Sequence, residues 1–101
     1  MSRTVAFGKF EWDSEKAWLN LSNHKVSFEE AVTVFEDAFF FAYKDLKHSE
    51  DEDCYVIIGF SERNRLLTVA FTERRRTRII SARKSNRYET ELYREESGEA
   101  L

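Results

Sequence analysis

The stretch that decides the fold is CYVIIGFSERNRLLTVAFTERRRTRIISARK, residues 54–84. It contains three apolar runs separated by two short polar segments. Runs of this length that are rich in β-branched and aromatic residues are typical of strands, and connections this short favour antiparallel pairing of neighbours. The stretch therefore predicts a meander of three strands, Cys54–Phe60, Leu66–Thr72 and Arg78–Ala82.

Upstream of the meander, the sequence predicts two helices and two extended segments. Apolar residues recur at helical spacing across residues 14–23. Ser27 followed by Glu30 is an S-x-x-E capping box, in which the serine side chain accepts from the glutamate amide and the glutamate reaches back to the serine amide. The extended segments are Val5–Trp12, a short N-terminal strand, and Ala38–Tyr43, a further strand of the sheet.

Downstream of the meander, Ser85 can cap a last helix over Asn86–Glu96. Together these elements predict an α+β fold with a short N-terminal strand, two helices, an antiparallel sheet meander of three to four strands and a C-terminal helix. A chain of 101 residues has material for one hydrophobic core. We therefore expect residues 1–101 to form a single domain.

The cysteine content and the N-terminal residues indicate the cellular compartment in which the protein is expected. Cys54, the single cysteine, cannot form an internal disulfide and lies in an apolar run, which favours a small core residue in a reducing environment. Residues 1–10 lack the apolar core of a signal peptide, and no apolar run approaches the roughly 18 residues of a membrane span. We expect a cytoplasmic protein that does not associate with a membrane.

The charges of the chain are unevenly distributed, although the net charge is only -3. Residues 1–53 contain 6 basic and 12 acidic residues, whereas residues 54–101 contain 10 basic and 7 acidic residues. Between Arg63 and Arg87 nine basic residues face a single acid, Glu73, a local balance of +8. A concentration of arginine in an otherwise acidic chain indicates a surface that binds a polyanion such as RNA.

Two histidines are candidates for chemistry. His24 lies at the predicted junction between the first two helices, where an imidazole could move a proton near neutral pH; a surface or capping role is the alternative that the residues themselves favour. His48 precedes a run of acidic residues in a charged loop, yet it fits no metal-ligand spacing. The sequence therefore predicts neither a metal site nor a cofactor.

The aromatic residues of the segment before the meander allow two interpretations. Phe39, Phe40, Phe41 and Tyr43 could stack on nucleobases, as aromatic residues do in proteins that bind single strands. In a domain of this size, however, an aromatic strand more often belongs to the core. Core packing is therefore the favoured interpretation.

Arg78 and Arg83 are separated by five positions, so they point to opposite faces of a regular strand. If both are to serve one surface, one of them must lie at a strand end or a bulge. The alternative is that the arginines form a solvated face with weak ion pairs to the acidic half of the chain. The local excess of positive charge argues against that alternative.

Two segments resemble the BrnT family of bacterial type II toxins. The first, residues 10–31, opens with F-E-W-D and ends with V-S-F-E-E-A; the second, residues 72–87, contains R-I-I-S-A-R-K. The resemblance extends over about residues 7–95. It departs from the family where members commonly have Lys-His-Gly, because this chain has Asn23-His24-Lys25. A second departure is Arg75-Arg76, in a turn that usually contains glycine.

The resemblance implies a RelE-like toxin fold, an endoribonuclease of the mRNA interferase type that arrests growth, and a BrnA-like antitoxin. The antitoxin would neutralise the toxin in a hetero-oligomer that binds operator DNA through the antitoxin. A non-catalytic module that binds RNA or a partner, such as an inactive toxin acting as a repressor subunit, is the alternative from another class.

The chemistry consistent with this resemblance is metal-independent cleavage in which a 2'-hydroxyl attacks the adjacent phosphate. The reaction needs proton transfer and cations that stabilise charge on the phosphate oxygens. The predicted catalytic residues are His24, Arg65, Arg78 and Arg83, and the predicted RNA-binding residues are Lys25, Arg63, Arg74, Lys84 and Arg87.

Overall fold

The computed structural model describes residues 2–47 and 52–97, so the predicted acidic loop that begins at His48 lies largely outside the described residues. Six of its elements are strands and three are α-helices. The strands are β1 (Thr4–Phe7), β2 (Phe10–Asp13), β3 (Phe41–Asp45), β4 (Cys54–Phe60), β5 (Leu66–Glu73) and β6 (Thr77–Lys84). The helices are α1 (Ser14–His24), α2 (Phe28–Thr33) with a 3-10 turn at Val34–Glu36, and α3 (Arg87–Ser97).

The strands form one mixed sheet in the order β1-β2-β6-β5-β4-β3, which confirms the α+β class. From β3 to β6 the pairing is an antiparallel meander. The prediction of three to four strands was wrong for the sheet as a whole, because β1 and β2 extend it beyond β6 and β2 pairs with β6 in parallel. Gly8 adopts a positive φ of 61° between β1 and β2. Since glycine tolerates this conformation, the N-terminal segment folds back as a hairpin instead of forming one strand.

The two faces of the sheet carry separate apolar clusters. One cluster lies beneath α1 and α2 and includes Trp12, Phe28 and Ile79. The other joins Val56, Ile58 and Tyr93 of α3 on the opposite face. Because α3 packs mainly on β3 and β4, part of that second face remains open above β5 and β6.

The aromatic segment before the meander lies largely at the surface. Phe39 and Phe40 precede β3 and expose about half of their area, and Tyr43 exposes 37%. The favoured interpretation as core was therefore wrong for these three residues. The physical reason is that Phe39 and Phe40 lie in the turn before β3 begins, and Tyr43 lies on the outermost strand beside the open part of the face that carries α3.

Both predicted helix starts are present, but the caps differ in detail. Ser27 accepts a hydrogen bond of 3.0 Å from the Glu30 amide, whereas the Glu30 carboxylate turns away from the serine amide toward the sheet. At α3 the cap is Asn86 rather than the predicted Ser85. Asn86 and Glu89 form a reciprocal capping box, each side chain accepting from the backbone amide of the other.

A buried polar side chain joins α1 to the sheet. The pairing of β2 with β6 ends at Ile79, so the backbone of β6 beyond it has no neighbouring strand on that side. The side-chain amide of Asn20 fills this position, because its Nδ2 donates to the Ala82 carbonyl at 2.8 Å and its Oδ1 accepts from the Ala82 amide at 3.0 Å. Nδ2 also donates to the Val26 carbonyl, which holds the connection between α1 and α2.

The apolar spacing that predicted α1 does not mark its buried face. Trp18 and Leu21 are exposed, and Asn20 is the buried residue of the helix. None of the helices within residues 2–47 and 52–97 is long and apolar enough to cross a membrane.

Candidate nucleic-acid interface

The nine predicted site residues divide between the two ends of β5 and β6. We call the end where β5 begins and β6 finishes the basic end, and the end with the β5–β6 connection the turn end. Arg74 and Arg78 lie at the turn end. The basic end brings together His24, Lys25, Arg63, Arg65, Arg83, Lys84 and Arg87.

Arg65, just before β5, is fixed by three acceptors at the basic end. Its Nε donates to Glu30 Oε2 at 2.9 Å and its Nη2 donates to Glu30 Oε1, so the guanidinium and carboxylate meet in two bonds. Nη2 also donates to the Lys25 carbonyl at 3.0 Å. Glu30 is 3% exposed, and the bonds from Arg65 hold its pKa below the usual value despite burial, with the Ser61 hydroxyl assisting.

Arg83, near the end of β6, is held in the same manner on the opposite face. Its Nη1 and Nη2 each donate to one oxygen of Glu89 at 2.7 Å. Glu89 also accepts from the Asn86 amide and the Thr68 hydroxyl. Burial raises the pKa of Glu89, but the bonds from Arg83, Asn86 and Thr68 outweigh burial, so that the pKa is lowered and the carboxylate is ionised at neutral pH.

These two ion pairs share an architecture that no local sequence pattern reveals. In each, an arginine at the end of a strand reaches the third residue of a helix, Glu30 of α2 or Glu89 of α3. A carboxylate near a helix N-terminus is favoured by the helix dipole. Glu30 and Glu89 were not among the predicted site residues; the S-x-x-E and N-x-x-E spacings mark them as caps but not as partners of arginine.

A bulge places Arg78 and Arg83 on the same face of the sheet. Phe71 pairs with Ile79 and Ala70 pairs with Ser81, which leaves Ile80 as an extra residue in β6. The alternation of side chains shifts at this point, and both arginines point to the face that carries α3. Of the two possibilities that the spacing allowed, a strand end or a bulge, the bulge is the one observed.

At the turn end, both predicted residues are paired with acids. Arg78 Nη1 donates to Glu11 Oε2 at 2.7 Å. Arg74 donates two bonds to Glu52, and both of those side chains are more than two-fifths exposed. Five residues of strand, at about 3.3 Å per residue, keep Arg78 some 15 Å from Arg83. Arg78 therefore does not lie in the basic end with the other predicted catalytic residues.

His24 and Lys25 form the exposed corner of the basic end. His24 is the last residue of α1, and Lys25 follows in the left-handed conformation with a φ of 60°. This is the position where the family commonly has glycine, which adopts such a conformation without strain. The Lys25 Nζ donates to the Ser22 carbonyl at 2.9 Å. His24 thus directly precedes the residue whose carbonyl accepts from Arg65.

The remaining predicted cations are more loosely placed. Arg63 is 68% exposed and approaches Glu30 only at 3.8 Å. Lys84 and Arg87 are exposed at the end of β6 and the start of α3. Such side chains can attract a polyanion from solution without fixing its position.

A groove crosses the face of the sheet beside α3, and we call it the cross-strand groove. Its floor is a row of residues that pair across four strands, and its volume is about 450 Å³. Arg83 and Glu89 line one side, and burial raises the pKa of the Tyr43 hydroxyl at the β3 end. The row consists of Tyr43, Val56, Ala70 and Ser81.

The comparison with protein families agrees with the resemblance in the sequence. A family model described as "Ribonuclease toxin, BrnT, of type II toxin-antitoxin system" matches residues 12–89. The matched region begins in β2 and ends at Glu89, so it includes both buried glutamates and every predicted site residue. No curated protein matches the chain at a significant level.

Proposed function

This chain belongs to the BrnT family of ribonuclease toxins of type II toxin-antitoxin systems, and from that premise we propose that it cleaves RNA at the basic end without a metal ion. In the proposed reaction the 2'-hydroxyl of one nucleotide attacks the adjacent phosphorus, and the bond from phosphorus to the 5'-oxygen breaks. The products are a 2',3'-cyclic phosphate and a free 5'-hydroxyl. The enzyme would act as an mRNA interferase in the cytoplasm and thereby arrest growth.

The side chains of the basic end can supply the groups that this reaction needs. His24 moves the proton from the 2'-hydroxyl to the leaving 5'-oxygen, since an imidazole can both accept and donate a proton. Arg65 and Arg83, which lie at the same end of the strands on opposite faces of the sheet, would approach the phosphate from either side and stabilise the negative charge that develops on its oxygens. Lys25, Arg63, Lys84 and Arg87 attract and position the strand.

The observation that carries this proposal is the rigid placement of Arg65 and Arg83. Each guanidinium is held by two bonds to a buried glutamate, and within the described residues Nη1 of Arg65 and Nε of Arg83 have no hydrogen-bond partner. A guanidinium offers five N–H donors, so donors remain for a phosphate. Donors fixed before the substrate arrives need no reorganisation during the reaction.

The experiment is an RNA cleavage assay with purified protein, in the presence and absence of EDTA. We expect the native protein to cleave with EDTA present and to leave cyclic phosphate ends. We expect His24→Ala to lower the rate by about 100-fold to 10,000-fold, the usual contribution of general acid–base catalysis. Arg75→Ala, at the exposed turn end, is the matched control and should cleave like the native protein. Full activity of the triple variant His24→Ala, Arg65→Ala and Arg83→Ala would contradict the proposal.

One observation favours a second candidate, a module that binds RNA or a partner without cleaving it. His24 is exposed, and no residue within 2–47 or 52–97 forms a hydrogen bond with its imidazole. A catalytic base is usually oriented by a third group. Binding of RNA by the purified protein with no cleavage product, under conditions in which the fold is intact, would support this candidate instead.

Membership in a type II system implies an antitoxin protein as partner. We propose that this antitoxin is BrnA-like, that it forms a hetero-oligomer with the toxin, and that the complex binds operator DNA through the antitoxin. The neighbouring reading frame should then encode a DNA-binding protein that co-purifies with this chain and suppresses cleavage.

A further inference from the structure

The cross-strand groove has the shape and lining of a slot for one flat ring. Along its floor the side chains become smaller from Tyr43 and Val56 to Ala70 and Ser81. Because Ala70 and Ser81 have small side chains, a hollow remains above them, and the phenol ring of Tyr43 lies at one end of this hollow. Tyr43 is in contact with Phe41, with ring centroids 5.6 Å apart, and this contact limits the positions the phenol can take.

The groove also lies between two arginines. The register places Thr68 and Arg83 in the row on one side of the floor, and Thr72 and Arg78 in the row on the other side. Because of the bulge at Ile80, both arginines point to the face that contains the groove. Arg83 lines the groove together with the carboxylates of Asp45 and Glu89, whereas Arg78 lies in the row beyond it. A slot with an apolar floor beside an arginine matches a base and its adjoining phosphate in a single-stranded nucleic acid.

We propose that the cross-strand groove holds one nucleobase of single-stranded RNA, stacked on the ring of Tyr43, with the adjoining phosphate at Arg83. This inference rests on the proposed function, because it treats the groove as a subsite of the same substrate. The Ser81 hydroxyl, which is exposed on the floor, is available to the edge of the base. Tyr43 is thus a residue that positions the nucleotide next to the cleaved bond.

The test uses a series of short 2'-O-methyl oligoribonucleotides, each with 2-aminopurine at one position. The methyl group blocks the attacking hydroxyl, so the complex forms without being cleaved. The fluorescence of 2-aminopurine falls when the base stacks on an aromatic ring. We expect quenching at one position on the native protein, and the same quenching on Tyr43→Phe, which keeps the ring.

Two variants remove the slot in different ways. We expect Tyr43→Leu to abolish the quenching and to weaken binding about tenfold, as loss of one base–aromatic stack does. Ser81→Phe fills the hollow from the floor without changing Tyr43, and we expect it to have the same effect. Phe39→Leu is the matched control, because Phe39 is an aromatic residue at least as exposed as Tyr43 that does not line the groove. Circular dichroism spectra and urea unfolding confirm that each variant is folded.

Three outcomes separate this inference from the proposed function. If folded Tyr43→Leu and Ser81→Phe show native-like quenching and still cleave RNA, the proposal that the groove holds a base is contradicted. The proposed ribonuclease activity is then unaffected. Absence of quenching at every position on the native protein also contradicts the proposal that the groove holds a base. This result is expected if the groove instead receives a side chain of the antitoxin. Quenching that both variants abolish, in a native protein that does not cleave RNA, supports the groove and overturns the proposed chemistry.

Discussion

Both ends of the β5–β6 pair contain ion pairs between arginine and glutamate, but the surroundings of these pairs differ. At the basic end, Glu30 and Glu89 are buried at the starts of helices and each holds its arginine with two bonds. At the turn end, the bidentate pair of Arg74 with Glu52 is exposed on both sides, and the less exposed pair of Arg78 with Glu11 is joined by a single bond. Exposed pairs contribute little because water screens them, whereas buried pairs hold one geometry firmly. Arginines are therefore present at both ends, and the proposed site is at the end where two arginines are each bound twice by a buried carboxylate.

The largest expected effect is on catalysis. Arg83→Ala removes a fixed donor and should lower kcat/KM for an RNA oligonucleotide by about 100-fold or more, as loss of an oxyanion-hole donor does. Arg78→Ala, on the same face at the turn end, should lower it by less than about tenfold, because Arg78 lies outside the basic end where we propose that cleavage takes place. Equal losses of kcat/KM in the two variants would show that the basic end and the turn end do not differ in their contribution to cleavage.

The next effect is on stability. Glu30→Gln leaves the Arg65 guanidinium half-paired in a mostly buried position, and we expect the free energy of unfolding to fall by about 2–3 kcal/mol. Glu52→Gln is the matched variant at the turn end and should leave the urea midpoint unchanged within error. Urea unfolding at neutral pH measures both. A similar midpoint for the two variants would show that burial does not distinguish the pairs.

Lowering the pH should reduce the free energy of unfolding through the Glu30 carboxylate. The bonds from Arg65 lower the pKa of Glu30 in the folded protein below its ordinary value of 4.5. Protons therefore bind the unfolded chain more readily, so the stabilisation is fully present above about pH 4.5 and is lost as the pH falls through the folded pKa. The unfolding free energy of the native protein should decline more steeply below this pH than that of Glu30→Gln. Parallel curves in a urea series from pH 7 to pH 3 would contradict this mechanism.

The smallest effect concerns the backbone at the corner of the basic end. Lys25 adopts a left-handed conformation that glycine tolerates better, so Lys25→Gly should stabilise the fold by about 0.5–1 kcal/mol. Asn64 has a similar φ of 61°, but asparagine tolerates it, and Asn64→Gly should therefore change stability very little. If Lys25 contacts RNA, its glycine variant will also bind RNA more weakly. A gain in stability with unchanged RNA affinity would remove Lys25 from the interface.

The sequence predicts the local elements well because their signals are local. The apolar runs mark β4, β5 and β6, and Ser27 is the cap that its spacing predicts. The parallel pairing of β2 with β6 depends on residues more than 60 positions apart and leaves no periodic signal. The hairpin at Gly8 was not predicted, although glycine at the first position of a two-residue turn is a signal for a hairpin.

For the candidate site, the sequence predicts the cations but not what holds them. A run of arginines is visible in the composition, whereas the carboxylate that fixes Arg65 lies 35 positions upstream. The spacing of Arg78 and Arg83 did limit the choices, because a shared face required a strand end or a bulge. Only the register of β5 with β6 shows that Ile80 is the extra residue.

The Asn20 amide has a consequence beyond the fold of a single molecule. Where β2 ends, the amide and carbonyl of Ala82 would otherwise remain open on the side of β6 next to β2. Open strand groups of this kind are where a second chain can add itself to a sheet and begin aggregation. By satisfying both groups, one side chain closes the edge against an intruding strand. This protection comes from α1, the first helix of the chain.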